Sequence, residues 1–161
     1  MKTIVLIRHA KSSWDHDVND LKRPLSERGL SDASLLAKAF MAYNFKPDAI
    51  YSSPAKRALS TCNIFMENLS LSEELLSIEE QVYDFGGNRV LQFIKALDND
   101  FERVMIFGHN HAFTALTNSL GDMAIDNLPT SGLVMIHFNV ETWKAVTQGT
   151  TKMILKPRDF K

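Results

Sequence analysis

Cysteine is almost missing from these 161 residues: Cys62 stands alone. One thiol makes no intrachain disulfide, which suits a reducing compartment, and no Cys pair marks a zinc site. Long hydrophobic runs are missing as well. The apolar stretch Ile4 to Ile7 is too short for a signal peptide. No run approaches the roughly 20 apolar residues of a membrane-spanning helix. The expected location is the cytoplasm. An excess of either charge is also lacking. The 18 Lys and Arg against 19 Asp and Glu leave −1, so no bulk field argues for nucleic acid or an anionic membrane as partner. Anion binding, if present, must come from a local cluster. The phosphate-binding loop of NTPases is absent too.

What remains is the balance of an ordinary globular protein, 45% apolar and 23% charged. The length fits one domain over 1–161, with no repeat or linker. Thr3–Ile7 reads as a strand buried on both faces. Leu30, Ala33, Leu36, Ala37, Phe40 and Met41 recur at helical spacing, predicting a helix over about 26–43 capped by Ser26. Asp48–Tyr51 reads as a strand. Ser52-Ser53-Pro54 reads as a helix start with a serine cap and proline in the first turn. The helix that follows buries Cys62, which makes that thiol a core residue. A strand near Leu75–Ile78, a helix after Gly86-Gly87, a strand over Arg103–Phe107 and a helix from about Asn110 follow. Leu133–Phe138 and Trp143–Thr147 read as two strands joined by a turn. The alternation predicts an α/β fold: a three-layer α/β/α sandwich around a mostly parallel central sheet, with an antiparallel strand near the end.

In open sheets of this kind, ligands bind beyond the carboxyl ends of the strands. Arg8 and His9 follow the first strand, Arg57 lies in the first turns of the helix after the second, and His109 follows the 103–107 strand. Alone, each has an ordinary reading as a solvated or turn residue. Together, two arginines and two histidines converging on one sheet edge make a phosphoryl site. Guanidinium forks match phosphate oxygens. Neutral imidazole is a nucleophile, and nearby arginines favour the neutral form. The second histidine can donate to charge building on the transferring group.

Arg8-His9-Ala10, Ser52-Ser53-Pro54 with Arg57-Ala58 and Thr61, and Gly108-His109-Asn110 resemble the histidine phosphatase superfamily, the phosphoglycerate mutase-like group. The run Arg8 to Trp14, Arg23-Pro24-Leu25 and Arg28-Gly29 are similar to its short SixA-type phosphohistidine phosphatases. Ala10 stands where Gly is more usual. The resemblance implies a phosphoglycerate mutase-like fold and a metal-independent phosphatase without cofactor. In that reading His9 is the nucleophile, while Arg8, Arg57 and His109 hold the phosphate oxygens. Ser13 is the further expected phosphate contact.

Many superfamily members supply an acid to the leaving group. Here Glu79, Glu80 and Asp84 are the candidates, and none sits clearly in that motif; the ordinary reading is solvated loop carboxylates. A missing acid favours an imidazole leaving group over an alkoxide, because imidazole's own pKa is about 6.5. The substrate expected is phosphohistidine, carried on a protein. A small phosphorylated metabolite, with Glu80 or Asp84 as acid, and a non-catalytic phosphate-binding module stay open beside it. Asp20 and Arg23 are expected to pair across their loop, Arg23 facing substrate in the alternative. Trp14 is expected to pack that loop, or else to form a rim, and Thr130-Ser131-Gly132 to form a turn. A metal site of His109 and His111 with His9 or His16 has little support, since His111 should point away from His109.

Overall fold

The computed structural model describes residues 1–15 and 17–161. Six strands form one sheet in the order β3-β2-β4-β1-β5-β6. They are β1 (Lys2–Arg8), β2 (Ala49–Ser52), β3 (Leu76–Ile78), β4 (Arg103–Gly108), β5 (Leu133–Phe138) and β6 (Thr150–Leu155). The pairings β3–β2, β2–β4 and β4–β1 are parallel, whereas β5 runs antiparallel to both β1 and β6. The central strands are apolar on both faces because both faces are covered. On one side Val5, Ile7, Met105 and Phe107 meet Leu36, Phe40 and Phe65 of α1 (Glu27–Met41) and α2 (Lys56–Asn68). On the other, Ile4, Leu6, Val104 and Ile106 meet Val90, Ile94, Phe113 and Leu116 of α3 (Asn88–Lys95) and α4 (Ala112–Leu120). This is the expected α/β/α sandwich. Among the described residues no helix is long and apolar enough to cross a membrane.

Local chemistry explains the agreements and the exceptions. Ser26 caps α1 as expected, its hydroxyl accepting from the Gly29 amide at 3.0 Å. Cys62 is buried, and burial pushes its thiol up to about 12, which keeps it protonated. Helix α2 begins at Lys56, two residues beyond the expected start. Ser53 N–H donates to Phe107 O at 3.0 Å and extends the course of β2, while Ser53 Oγ accepts from Ala55 N–H at 3.1 Å. The expected strand over Trp143–Thr147 is not formed. Trp143–Ala145 is a turn of 3-10 helix, and the last strand lies later, at Thr150–Leu155. The Trp143 ring is fully buried, with Nε1 donating to Phe101 O at 2.8 Å and its amide to Asn99 Oδ1 at 2.9 Å. Burial of that one ring overrides the β-propensity of the segment.

Candidate active site

Strand register sets the site. Arg8 pairs with Gly108 across β1–β4, and Ser52 with Phe107 across β2–β4. One step further, His9 N–H donates to Gly108 O at 3.0 Å. The imidazoles of His9 and His109 thus lie side by side, ring centres 5.3 Å apart. The carbonyl of His9 accepts from Ser131 N–H at 3.1 Å, and Arg8 N–H donates to Gly132 O at 3.0 Å. The expected turn at 130–132 therefore grips the backbone of Arg8 and His9.

The His9 side chain is buried, and Nδ1 lies 2.7 Å from the carbonyl oxygen of Ala10. A carbonyl only accepts, so Nδ1 carries the hydrogen and Nε2 keeps its lone pair. Burial, opposed by that bond and reinforced by Arg57, Arg8 and Arg23, lowers the imidazole to about 4. The arginines act in the expected direction, but desolvation is the larger cause. Ala10 N–H in turn donates to Thr61 Oγ1 at 2.9 Å, and Thr61 Oγ1 donates to Arg57 O at 2.8 Å. The loop after His9 is thus clipped to α2.

Arg57 is 1% exposed. Its Nη1 donates to Asp20 O at 2.6 Å and Nη2 to Asp20 Oδ2 at 2.9 Å. Nη2 also lies 3.5 Å from His109 Nδ1. A guanidinium only donates, so Nδ1 accepts, and His109 Nε2–H donates to Ser53 Oγ at 2.8 Å. His109 is fully buried; burial first, then His9 and Arg57, lower it to about 3, with Asp20 opposing. Its ring N–H is thus engaged by Ser53, and Arg57 stands between its Nδ1 and the cleft.

The cleft, about 290 Å³, is lined by Arg8, His9 and Arg57 together with Asp20, Arg23 and Asn110. Arg8 Nη1 donates to Leu128 O at 2.7 Å. The Nε atoms of Arg8, Arg23 and Arg57 are buried without a partner among the described residues. Buried donors of this kind are costly unless an acceptor meets them. Asp20 is the carboxylate on this wall. Burial raises it, but hydrogen bonds from Tyr83, Arg57 and Arg23 outweigh that and bring it to about 2. Its pairing with Arg23 is found, at 3.3 Å; its grip on Arg57 and Tyr83 was not expected.

Other expectations change. Ser12 and Leu25 form a β-bridge, so alternate side chains face opposite ways. Ser12 reaches the cleft and accepts from Arg23 Nη1, while Ser13 Oγ accepts from Asp15 N–H at 3.1 Å. Asp84 is no solvated carboxylate. It is buried and accepts from the amides of Gly86, Gly87, Arg89 and Val90 at 3.0–3.2 Å, capping α3. Glu79 and Glu80 do not line the cleft. Trp14 is 79% exposed and forms a rim, with the Arg23 guanidinium 3.7 Å from its ring centre. His111 is exposed ahead of α4, and among the described residues no three His, Cys, Asp or Glu side chains gather as metal ligands. His16 lies outside the described residues.

The sequence model of the histidine phosphatase superfamily (branch 1) matches residues 4–78, which carry His9 and Arg57. Over those residues, just under half of its length, the chain is similar to the histidine phosphatase superfamily. Among solved structures, a protein histidine phosphatase SixA complexed with tungstate superposes with a TM-score of 0.84 at 20% identity, covering 99% of each chain. A protein of Agrobacterium tumefaciens assigned as a SixA phosphohistidine phosphatase gives 0.79 at 23% identity, over 97% of this chain and 98% of that one. These likenesses establish the phosphoglycerate mutase-like fold. An uncharacterised chloroplastic protein of Arabidopsis thaliana is 27% identical over 152 residues, 89% of this chain and 69% of the relative.

Proposed function

We propose that this protein is a histidine phosphatase, a metal-independent enzyme that takes the phosphoryl group of phosphohistidine onto His9. The observation that carries the reading is the free Nε2 lone pair of His9 in a cleft where Arg8, Arg23 and Arg57 hold unpartnered Nε–H donors. Such donors match the equatorial oxygens of a phosphoryl group in flight. The match of residues 4–78 to the histidine phosphatase model supports phosphatase activity, and tungstate bound to a protein of the same fold is a tetrahedral oxyanion of phosphate shape.

His9 Nε2 attacks phosphorus and a P–N bond forms as the substrate's P–N bond breaks. The departing imidazole takes its proton from solvent. Water then attacks phospho-His9, releasing inorganic phosphate and returning His9 to its neutral form. The carboxylate on the cleft wall, Asp20, is ionised at neutral pH and cannot act as a proton donor. An alkoxide would leave poorly without one, whereas an imidazole leaves readily. This supports phosphohistidine over alkyl phosphates.

The expected result with a chromogenic aryl phosphate is turnover that survives EDTA and disappears in His9→Ala. On a substrate panel, kcat/KM for a phosphohistidine peptide should exceed that for sugar phosphates by about a hundredfold, the size of a missing general acid. Equal rates, or a preference for sugars, would reject the substrate assignment. Tight phosphate binding with no turnover would reject the enzyme.

A further inference from the structure

A second cleft, about 310 Å³, opens beside the first, and Thr130 lines both. Its walls come from the start of α1 and the turn after β6. Arg28, Lys156, Arg158 and Lys161 face it. Beneath them lies the Asp32 carboxylate, 8% exposed, 2.9 Å from Lys161 Nζ and 3.6 Å from Arg28 Nε. Asp32 thus holds two of the four cations in place and offsets one charge. Asp159, next in the turn, spends a carboxylate oxygen on the Lys156 amide at 3.1 Å. The chain as a whole carries −1, so this positive surplus is local.

The two clefts differ in kind. In the first, guanidinium Nε–H groups are buried without partners, which suits a dehydrated oxyanion. In the second, Arg28, Arg158 and Lys161 are exposed and hydrated. Open cations of that sort gain little from a single free anion. They act on carboxylates that are already tethered nearby, where effective concentration replaces affinity. They also steer a charged partner into register.

We propose that the basic cleft sharing Thr130 with the active site docks an acidic segment that flanks the phosphorylated residue of a protein substrate. This rests on the phosphatase reading above and adds the chemistry of the partner. The strip selects for chain around the phosphoryl group, leaving the chemistry at His9 unchanged.

Three phosphohistidine peptides test it, with the flanks on both sides made of Glu, of Lys or of Gly-Ser. At low ionic strength wild type should turn over the Glu-flanked peptide with kcat/KM about tenfold above the Lys-flanked one. In Lys156→Glu/Arg158→Glu, and in wild type at 0.5 M NaCl (about a 4 Å Debye length), that ratio should fall below about twofold. Hydrolysis of free phosphoramidate by the double variant should equal that of wild type, which also shows the fold intact; the single Arg158→Glu variant should give an intermediate ratio. Equal turnover of Glu- and Lys-flanked peptides by wild type, or a preference that survives the double substitution, overturns the proposal. Anisotropy of the same dye-labelled peptides on His9→Ala protein reads docking without turnover. A wild type that leaves phosphoramidate intact while the His9→Ala protein binds the Glu-flanked peptide tenfold tighter would sink the phosphatase reading and keep the docking surface. Equal binding of the labelled peptides would sink the docking surface.

Discussion

His9 is kept neutral by dehydration more than by any single neighbour. At an ordinary pKa near 6.5, an imidazole in mildly acid solution is mostly charged and its lone pair lost. Here burial and three guanidiniums hold it down to about 4. An NMR titration of the His9 ring in the free protein should therefore show a midpoint near pH 4. A midpoint near 6.5 would mean that water reaches the ring. Asp20 is the other residue whose environment sets its behaviour. It occupies both Nη atoms of Arg57, so an anion bound in the cleft would compete with it for the same guanidinium. Asp20→Asn keeps the shape and removes the charge. It should tighten inhibition by inorganic phosphate several-fold and lower kcat about tenfold, as Arg57 loses its anchor. Unchanged phosphate inhibition would show that the two anions do not compete.

At the scale of elements, α1 and α2 brace the loop that follows His9 from two sides. A Cβ at Gly29 would run into the carbonyl oxygen of Lys11, which already accepts from the Ser26 amide and hydroxyl. At an unencumbered helix position Gly→Ala stabilises by about 1 kcal/mol. Here Gly29→Ala should instead lower Tm by several degrees and kcat/KM by about tenfold, because the clash is with backbone two residues from His9. Thr61→Val strips the Ala10 amide of its acceptor at a cost of about 1–3 kcal/mol. Thr61→Ser should restore most of it; thermal melts with kinetics on the pair check both. What was legible in the sequence follows the same division. Arg8, His9 and His109 could be placed because each stands at the end of an apolar run, and Arg57 because a Ser-Ser-Pro helix start precedes it. Asp20 and Tyr83 could not. They meet across 63 residues from loops that have no period, and only the folded chain brings them together. Asp84 was misplaced for a related reason: the glycine pair after it was readable as a break, but its carboxylate's turn onto four amides was not. Trp143 shows the limit of pattern, since one buried ring converted a strand-like segment into a helical turn.

The whole molecule titrates in a way that these buried histidines dictate. His9 is lowered to about 4 and His109 to about 3, so both bind protons in the unfolded chain that they refuse in the folded one. Stability should be level between about pH 7 and 8 and fall as pH drops from about 6.5 towards 4, with a slope of up to about 1.4 kcal/mol per pH unit for each histidine. Asp20, lowered to about 2, stays ionised across that window and loses its contribution only below about pH 4. Urea midpoints at pH 7.5, 6 and 5 should show the decline, and His109→Asn should make it shallower. A flat profile in wild type would mean that the rings are not dry.

The two tryptophans divide the chain's fluorescence between them. Trp143 is enclosed in the core and Trp14 stands in solvent against the Arg23 guanidinium. Their indoles emit from opposite environments, blue for one and red for the other. Loading the cleft disturbs only the red-edge component, through Arg23, while unfolding shifts the blue one. A single emission spectrum can thus report occupancy and integrity separately, with no label attached.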